Sequence, residues 1–401
     1  MARRTAGLTL LIAAVSTLGP FTIDSFFPSL RAISADLHVT PLQAQQLVTV
    51  FMLPLAFMSL VHGSLSDALG RRRVLMAGML VYVVASLGCT VAPGFASLLL
   101  CRAVQGTVAG VGMIVGRAIV RDCYQGVQAQ RVMSTITMTF ALGPALAPVV
   151  GGWVHVWFGW RAVFGAMAVL GTSLLLLTVW RLPETHPPEA RSPLHLGALM
   201  GNVAHVASTR RFQWMVASSV LCFVSVHAYI GSAPAIVLDH WQLSETQFAM
   251  LTVPIIGGYS LGAWFSGRMA GRVEPEQVLR WGYHGCLAST TAMLALQFVW
   301  PHSPVLLQQA VLACIATSIQ LIFPIVTLHI LDLFPATRGA ASSAQSFCAM
   351  VMSALMMGVA APWLSVTMQR LALCCFGLTF AGWLIWLVKL RSPAPDAAGD
   401  H

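Results

Sequence analysis

Apolar residues fall along this chain in long uninterrupted runs, without the alternation of a half-buried strand or the one-sided stripe of a surface helix. Val74–Ala92, Ser97–Ile119 and Phe376–Val388 carry few or no charges. About 20 such residues wound as a helix cross a hydrocarbon core roughly 30 Å thick. A membrane barrel would show alternating segments of about ten residues, and the chain has none. The runs predict twelve membrane helices near 5–30, 42–66, 73–92, 95–119, 131–154, 160–181, 212–237, 246–270, 278–300, 303–330, 338–362 and 368–390, to within ~2–4 residues at each end. The longest polar interval, Arg181–Arg211, holds Pro183, Glu184, Pro187, Pro188, Glu189 and Pro193, and it separates six runs from six. The expected architecture is therefore an all-α polytopic membrane protein. It has an N-terminal six-helix bundle (1–181), a linker loop (182–211), a second, pseudo-symmetric six-helix bundle (212–391) and a short tail (392–401).

Composition agrees: 57% of the 401 residues are hydrophobic and 9% charged, against roughly 25% charged in soluble domains. The formal charge of +9 invites a nucleic-acid reading, but the cations are placed by topology. With the N-terminus inside, 18 of the 22 basic residues fall in cytoplasmic segments: Arg3, Arg4, Arg71, Arg72, Arg73, Arg117, Arg121, Arg131, Arg181, Arg191, Arg210, Arg211, Arg268, Arg272, Arg280, Arg338, Lys389 and Arg391. Arg31, Arg161 and Arg370 fall outside, and Arg102 lies within a span. This is the positive-inside bias, and it puts both termini in the cytoplasm of a multi-pass inner-membrane protein. Trp153, Trp157, Trp160, Trp300 and Trp363 lie at outer helix ends, as interfacial anchors would. Arg3-Arg4 precedes an apolar run with no convincing cleavage site, so the first helix is expected to be retained. The nine cysteines show neither CxxC pairs nor metal spacing, which implies no metal and no disulfides.

Weak internal repetition supports two matched halves. Ser66-Asp67-Ala68-Leu69-Gly70-Arg71 follows helix 2, and Gly267-Arg268-Met269-Ala270-Gly271-Arg272 follows helix 8. Asp24-Ser25-Phe26-Phe27-Pro28 and Ile230-Gly231-Ser232-Ala233-Pro234 occupy similar depths in helices 1 and 7. Such duplication points to a site at the midplane between the halves. The sharpest local pattern is Gly63-x-x-x-Asp67-x-x-Gly70-Arg71-Arg72-Arg73. Its glycines permit a tight turn. Asp67 can face the positive end of a neighbouring helix, and Arg71 can pair with a carboxylate, for which Asp122 is the best candidate.

This pattern resembles the loop signature of the major facilitator superfamily. Arg102-Ala103-Val104-Gln105-Gly106 looks like that superfamily's helix-4 element. Gly143-Pro144-Ala145-Leu146-Ala147-Pro148-Val149-Val150-Gly151-Gly152 looks like the helix-5 element found mainly in its exporters. Asp24 through Leu30, with Arg121-Asp122, is most similar to the bicyclomycin/chloramphenicol-resistance (Bcr/CflA) branch of drug:proton antiporters. The resemblance implies the major facilitator fold and rocker-switch transport. It also implies a conformational gating loop of Gly63, Asp67, Gly70, Arg71, Arg72, Arg73 and Asp122, and a helix 5 that seals one side of the cavity through Gly143, Pro144, Pro148, Gly151 and Gly152. Proteins of this kind are usually monomers.

The membrane interior offers a mechanism of its own. Of thirteen acidic residues only Asp24 falls well inside a predicted span, and Arg102 is the comparably placed base. Intramembrane charges cost several kcal/mol unless paired or hydrated, so the two are functional candidates by default. Burial and a nearby cation act on a carboxyl group in opposite directions, which leaves Asp24 titratable. Asp24 is thus expected to alternate between proton and substrate while Arg102 tunes the exchange. Gln105 and Gly106 would bond around Arg102 or admit a close helix neighbour. His227, in mid-helix, and His62 and His284, near span ends, either relay protons or make ordinary polar contacts. Phe26, Phe27, Tyr229, Tyr259 and Gln320, with His227, are candidates to line a drug-accepting cavity. Two departures stand out: helix 1 has no second acid, and Arg268 replaces the acid in the repeated loop.

The chain lacks HExxH, GxSxG and paired catalytic aspartates, so an intramembrane enzyme is disfavoured. The expected activity is proton-coupled export of small, mostly apolar or cationic compounds. It would use the proton gradient and no cofactor, with substrate, protons and membrane lipid as partners and no nucleic acid. The alternatives are a proton-coupled importer or exporter of one metabolite or siderophore-type molecule, and a non-transporting receptor on the same scaffold.

Overall fold

The computed structural model describes residues 2–191 and 195–390, with side chains throughout except at 2–6, 126, 127, 130, 134, 137, 138, 140–142 and 190. Pro193, Arg391 and the 392–401 tail lie outside the described residues, as do the side chains of Arg3 and Arg4. Among the described residues there is no strand, and sixteen α-helices follow one another. The first half holds α1 (Ala2–Asp24), α2 (Leu30–Asp36), α3 (Pro41–Leu69), α4 (Arg71–Thr90), α5 (Phe95–Ala109), α6 (Val111–Cys123), α7 (Gly126–Phe158) and α8 (Trp160–Arg181). After α9 (Leu196–Ser208) come α10 (Arg210–Gly231), α11 (Ala249–Met269), α12 (Pro275–Val299), α13 (Val305–Leu333), α14 (Arg338–Leu355), α15 (Ala361–Leu364) and α16 (Met368–Ile385).

Ten of the resulting segments are long and apolar enough to cross a membrane. The remaining two long helices, α7 with 33 residues and α12 with 25, reach ~50 and ~37 Å at 1.5 Å per residue. They pack along α1 and along α13 and α16, which completes twelve. Helix formation needs little local encouragement here, because hydrocarbon offers backbone groups no other partner. Ends are set where side chains supply one. Thr40 Oγ1 accepts from Gln43 N at 3.2 Å while Gln43 Oε1 accepts from Thr40 N at 2.8 Å, a reciprocal cap that starts α3. Gly70, at φ +99°, ends α3 and turns directly into α4. Its counterpart Gly271 also has a positive φ, +72°, in the turn between α11 and α12.

Several expected helices are composite. The first span breaks after Asp24, passes a 3-10 turn at Phe27–Ser29 with Pro28 inside it, and resumes as α2. Gly110 interrupts the fourth, the seventh ends in a π-helical turn at Ala235–His240, the eleventh passes through one at Met356–Ala360 before α15, and the twelfth ends in one at Trp386–Leu390. The expected linker loop contains α9, a helix that packs on α14 and α10. Trp160, expected as an interfacial anchor, is buried and donates to Asp36 Oδ2 at 3.1 Å, whereas Trp153, Trp157, Trp300 and Trp363 are exposed.

The most extensive packing lies within each half, as between α1 and α7 or α11 and α13. The halves meet along α3 against α14 and along α7 against α11. Their polar contacts are one-sided. Among the described residues, every hydrogen bond or ion pair between halves lies at the end of the molecule carrying Asp36 and Ser365, here termed the far face. The opposite end, termed the loop face, carries Gly70, Asp122 and Glu184.

Close helix contact predicts one stability effect. A Cβ on Gly106 of α5 would lie 2.9 Å from the carbonyl carbon of Phe51 and 3.0 Å from its Cα on α3, a backbone that cannot step aside. Gly106→Val is expected to destabilise the protein by ~1–3 kcal/mol, as overpacked cores do. Thermal unfolding in detergent, with Gly94→Val as a control where nothing lies within 4 Å, checks this.

Candidate functional site

Arg102 is fully buried, and its environment is built from four helices. Nη1 donates to Gln105 Oε1, one turn along α5, at 2.7 Å, and Nε donates to Leu47 O of α3 at 3.4 Å. The guanidinium lies 4.3 Å from the ring centres of both Phe26 and Phe51, with Phe164 of α8 at 5.9 Å. Nη2 has no hydrogen-bond partner. Gln105 is held in turn, its Nε2 donating to Ser86 Oγ of α4 at 2.7 Å. The sum is close to break-even. Two desolvated cation–π contacts at ~2 kcal/mol each and a charge-assisted hydrogen bond at ~1.5–3 kcal/mol roughly offset a desolvation cost of several kcal/mol. Arg102 is thus tolerated in the bundle with one donor to spare.

The expected Asp24–Arg102 pair is not formed in this conformation. Asp24 is the last residue of α1, and the chain leaves helical geometry there instead of continuing to residue 30. The break turns Phe26 onto the guanidinium and stacks Phe27 on Phe26, 5.6 Å between centres. Asp24 is 8% exposed and makes no hydrogen bond or ion pair among the described residues. Phe26 and Phe27, expected to line a cavity, are instead buried as the wall around Arg102. The same bundle holds a neutral relay of Thr22, whose hydroxyl meets Tyr82 OH at 2.5 Å.

The loop face organises around Arg71. Its guanidinium binds Asp67, lies 3.1 Å from Asp122 Oδ2 through Nε, and donates to Ser66 Oγ at 2.7 Å through Nη1. Asp67 was expected to face the N-terminus of a neighbouring helix, but Glu184 takes that place. Glu184 Oε1 accepts from Arg71 N at 3.0 Å and from Arg72 N at 3.5 Å, a carboxylate on the positive end of α4. Arg72 reaches Val179 O at 2.8 Å, and Thr185 Oγ1 donates to Asp122 at 3.3 Å. Gly63 touches Ile114 only loosely, and Arg73 is exposed without an ion pair among the described residues. Glu184 was missed because it is distant in sequence; the Pro-flanked acid in a linker was the available signal.

In α7, Pro144 and Pro148 sit inside an unbroken helix. Its glycines face different neighbours: Gly143 meets Thr17, Gly151 the backbone of Ser25, and Gly152 the backbone of Glu245 in the second half. The expected cavity residues of the second half are scattered in their roles. His227 Nδ1 donates to Phe223 O at 3.0 Å, and its ring lies tilted against the Phe223 ring, 4.4 Å between centres. Tyr229 is buried, while Tyr259 and Gln320 are half-buried. His62 is buried in α3, and His284 Nδ1 meets Arg280 O at 2.8 Å. Polar residues at the far face were overlooked altogether: Gln45, Gln46, the Arg31–Asp239 ion pair and His155, whose Nε2 is 3.3 Å from Glu245.

The pattern of the Major Facilitator Superfamily matches residues 9–357 of the chain. A bicyclomycin resistance protein homolog of Haemophilus influenzae is 28% identical over 73% of this chain and 74% of its own length. A chloramphenicol resistance protein of Pseudomonas aeruginosa is 29% identical over 75% and 71%. Multidrug resistance protein D of Escherichia coli is 25% identical over 85% of each. Among solved structures, the human organic anion transporter MFSD10 (TETRAN) superposes with a TM-score of 0.61, covering 96% of this chain and 99% of that one at 20% identity, a likeness of fold. With 349 consecutive residues matched and two six-helix halves in place, the chain belongs to the Major Facilitator Superfamily.

Proposed function

We propose that the protein is a drug:proton antiporter of the bicyclomycin/chloramphenicol-resistance branch. It would export small apolar or cationic toxins across a bacterial inner membrane as a monomer, with no cofactor and no chemical conversion. The observation that carries this reading is the one-sided closure: polar bonds join the halves at the far face alone among the described residues. A two-bundle protein closed at one end is one state of an alternating-access cycle. The positive-inside bias supports a cytoplasmic loop face, and in that orientation the far-face contacts would close the protein to the outside. The names of the relatives support toxins as cargo.

Energy coupling is assigned to Asp24. A carboxyl group amid apolar surroundings with no cation beside it must be protonated, paired with a cationic substrate or hydrated. Opening of the far face would expose it to the outside, and closure would return it to the interior. Arg102 would act on the same exchange through its free Nη2, accepting a carboxylate when the Phe26 wall moves. The Arg71–Asp122–Glu184 cluster would fix α4 against α6 and the linker on the loop face.

Expression in an efflux-deficient bacterium, scored against a broad toxin panel, tests the activity. Asp24→Asn is expected to lower export at least tenfold and to abolish substrate-induced dissipation of a pH gradient in everted vesicles. Export by this variant at the normal rate would remove Asp24 from the coupling step, and substrate uptake by intact cells would reverse the direction assigned. A second outcome concerns the loop cluster. Arg71→Asp is expected to cut transport to about a tenth, and the added Asp122→Arg exchange to restore part of it, since the pair is the replaceable component of an otherwise mixed cluster.

A further inference from the structure

We infer that Gln45 and Gln46 are the positioning residues that latch the far face, by capping second-half carbonyls at a helix end and at a π turn whose α-helical donors are missing. This deepens the alternating-access reading and rests on it. Gln45, buried in the second turn of α3, donates through Nε2 to Gly231 O at 2.6 Å and to Met357 O at 2.9 Å. Gln46 donates to Gly358 O at 2.8 Å, with Leu42 O as a second acceptor at 3.3 Å. All three acceptors across the interface are backbone oxygens of the other half.

Their availability follows from the local sequence. In an α-helix, Met357 O would accept from Ala361 N–H, but in the π turn that N–H bonds Met356 O. One residue further stands Pro362, which has no N–H. Met357 O therefore lacks both its α and its π donor. Gly358 O would accept from residue 362 in an α-helix, and that residue is the same proline. Gly231 is the last residue of α10, where terminal carbonyls have no intrahelical donor, and the Ala235–His240 π turn follows. Buried carbonyls require partners, above all in a membrane, and two consecutive glutamines of α3 supply them. Side-chain amides donate without bringing charge into the seam.

Packing allows the approach. A Cβ on Gly358 would lie 2.9 Å from Thr49 Cβ, one turn along α3 from Gln45, and a Cβ on Gly231 would lie 2.7 Å from Met357 Cα. The Ala235–His240 π turn also contributes at the edge of the seam, since its Asp239 pairs with Arg31 of α2. A cavity of about 460 Å³, lined in part by Arg31, His38, Gln45, Ser232 and Asp239, adjoins the seam. Water entering from that side is the donor that replaces the glutamines when the halves part. Single π turns in helices recur at functional positions, and here they present the orphaned oxygens to the opposite bundle.

The test reads conformation and needs no substrate, so a protein with another cargo would answer it equally. Spin labels are introduced as non-natural amino acids at Ala35 and Val366, exposed on the far face of opposite halves. Distances are measured by double electron–electron resonance in lipid nanodiscs. The unsubstituted protein is expected to give mainly the short distance. Gln45→Leu with Gln46→Leu is expected to raise the long-distance fraction roughly tenfold, the effect of losing a few modest hydrogen bonds. Pro362→Ala, which returns an N–H to Gly358 O, is expected to raise it without touching the glutamines. In that background Gln46→Leu should add little, a non-additivity that mere damage to packing would not produce. An unchanged distribution in both the Leu pair and Pro362→Ala would overturn the assignment, as would an equal effect of Gln46→Leu in both backgrounds. Loss of toxin export with these distances intact would bear on the transport reading and leave the latch standing.

Discussion

A backbone inside hydrocarbon must find every hydrogen-bond partner within the protein, and the features that matter in this molecule are the places where the helix ladder fails to provide one. Most of the chain meets the requirement by being α-helical, which is why runs of apolar residues suffice to lay out twelve long segments. The exceptions are few and placed with consequence. After Asp24 the first span leaves helical geometry, and the residues released wrap Arg102. At the end of α10 and before Pro362 the seventh and eleventh spans lose helical donors, and the carbonyls of Gly231, Met357 and Gly358 meet α3. Irregular backbone at membrane depth is tolerated where it is covered by protein, and these segments are covered by the groups that use them.

Arg102 obeys the same accounting for side chains. A buried guanidinium with no carboxylate looks untenable until its surroundings are itemised: two rings at 4.3 Å, one amide oxygen and one backbone carbonyl. These roughly balance the desolvation cost without exceeding it. A charge held near balance is one whose partner can change. Phe26 links this site to Asp24 mechanically, since it lies two residues beyond the acid and on the guanidinium. Any movement that exposes one alters the environment of the other, so the two can be coupled without touching.

Hydropathy and charge placement are local properties, and what depends on them was legible in the sequence: the spans, the two halves, the turn at Gly70 and the neighbourhood of Arg71 with Asp122. What depends on pairings across the chain was not. Gln45 meets acceptors 186 and 312 residues away, and polar residues at a helix start read simply as a solvated end. The expected meeting of Asp24 with Arg102 assumed a straight first helix, whereas Pro28 and the preceding turn put an aromatic ring between backbone and base. Glu184 was hidden for a related reason. Proline-rich linkers look featureless, yet this one delivers a carboxylate to the N-terminus of α4. The π turns have the same hydropathy as the α-helices they extend, and only the prolines after Gly231 and Gly358 mark them.

Two kinds of polar interaction thus divide the work according to how often they must break. Within the first bundle, where neighbours remain together, charge is admitted: Arg102 among its rings and Arg71 between two carboxylates. Across the buried seam, which must open for cargo to leave, the α3 contacts are neutral amide-to-carbonyl bonds, and the charged contacts, Arg31–Asp239 and His155–Glu245, each keep at least one partner exposed to water. Parting a buried ion pair would strand two charges at a cost of several kcal/mol. Parting an amide from a carbonyl at the rim of a water-accessible cavity exchanges one modest hydrogen bond for another. A seam built from such bonds can be closed in the membrane and still open at low cost, and that reversibility is what an alternating-access protein requires of its gate.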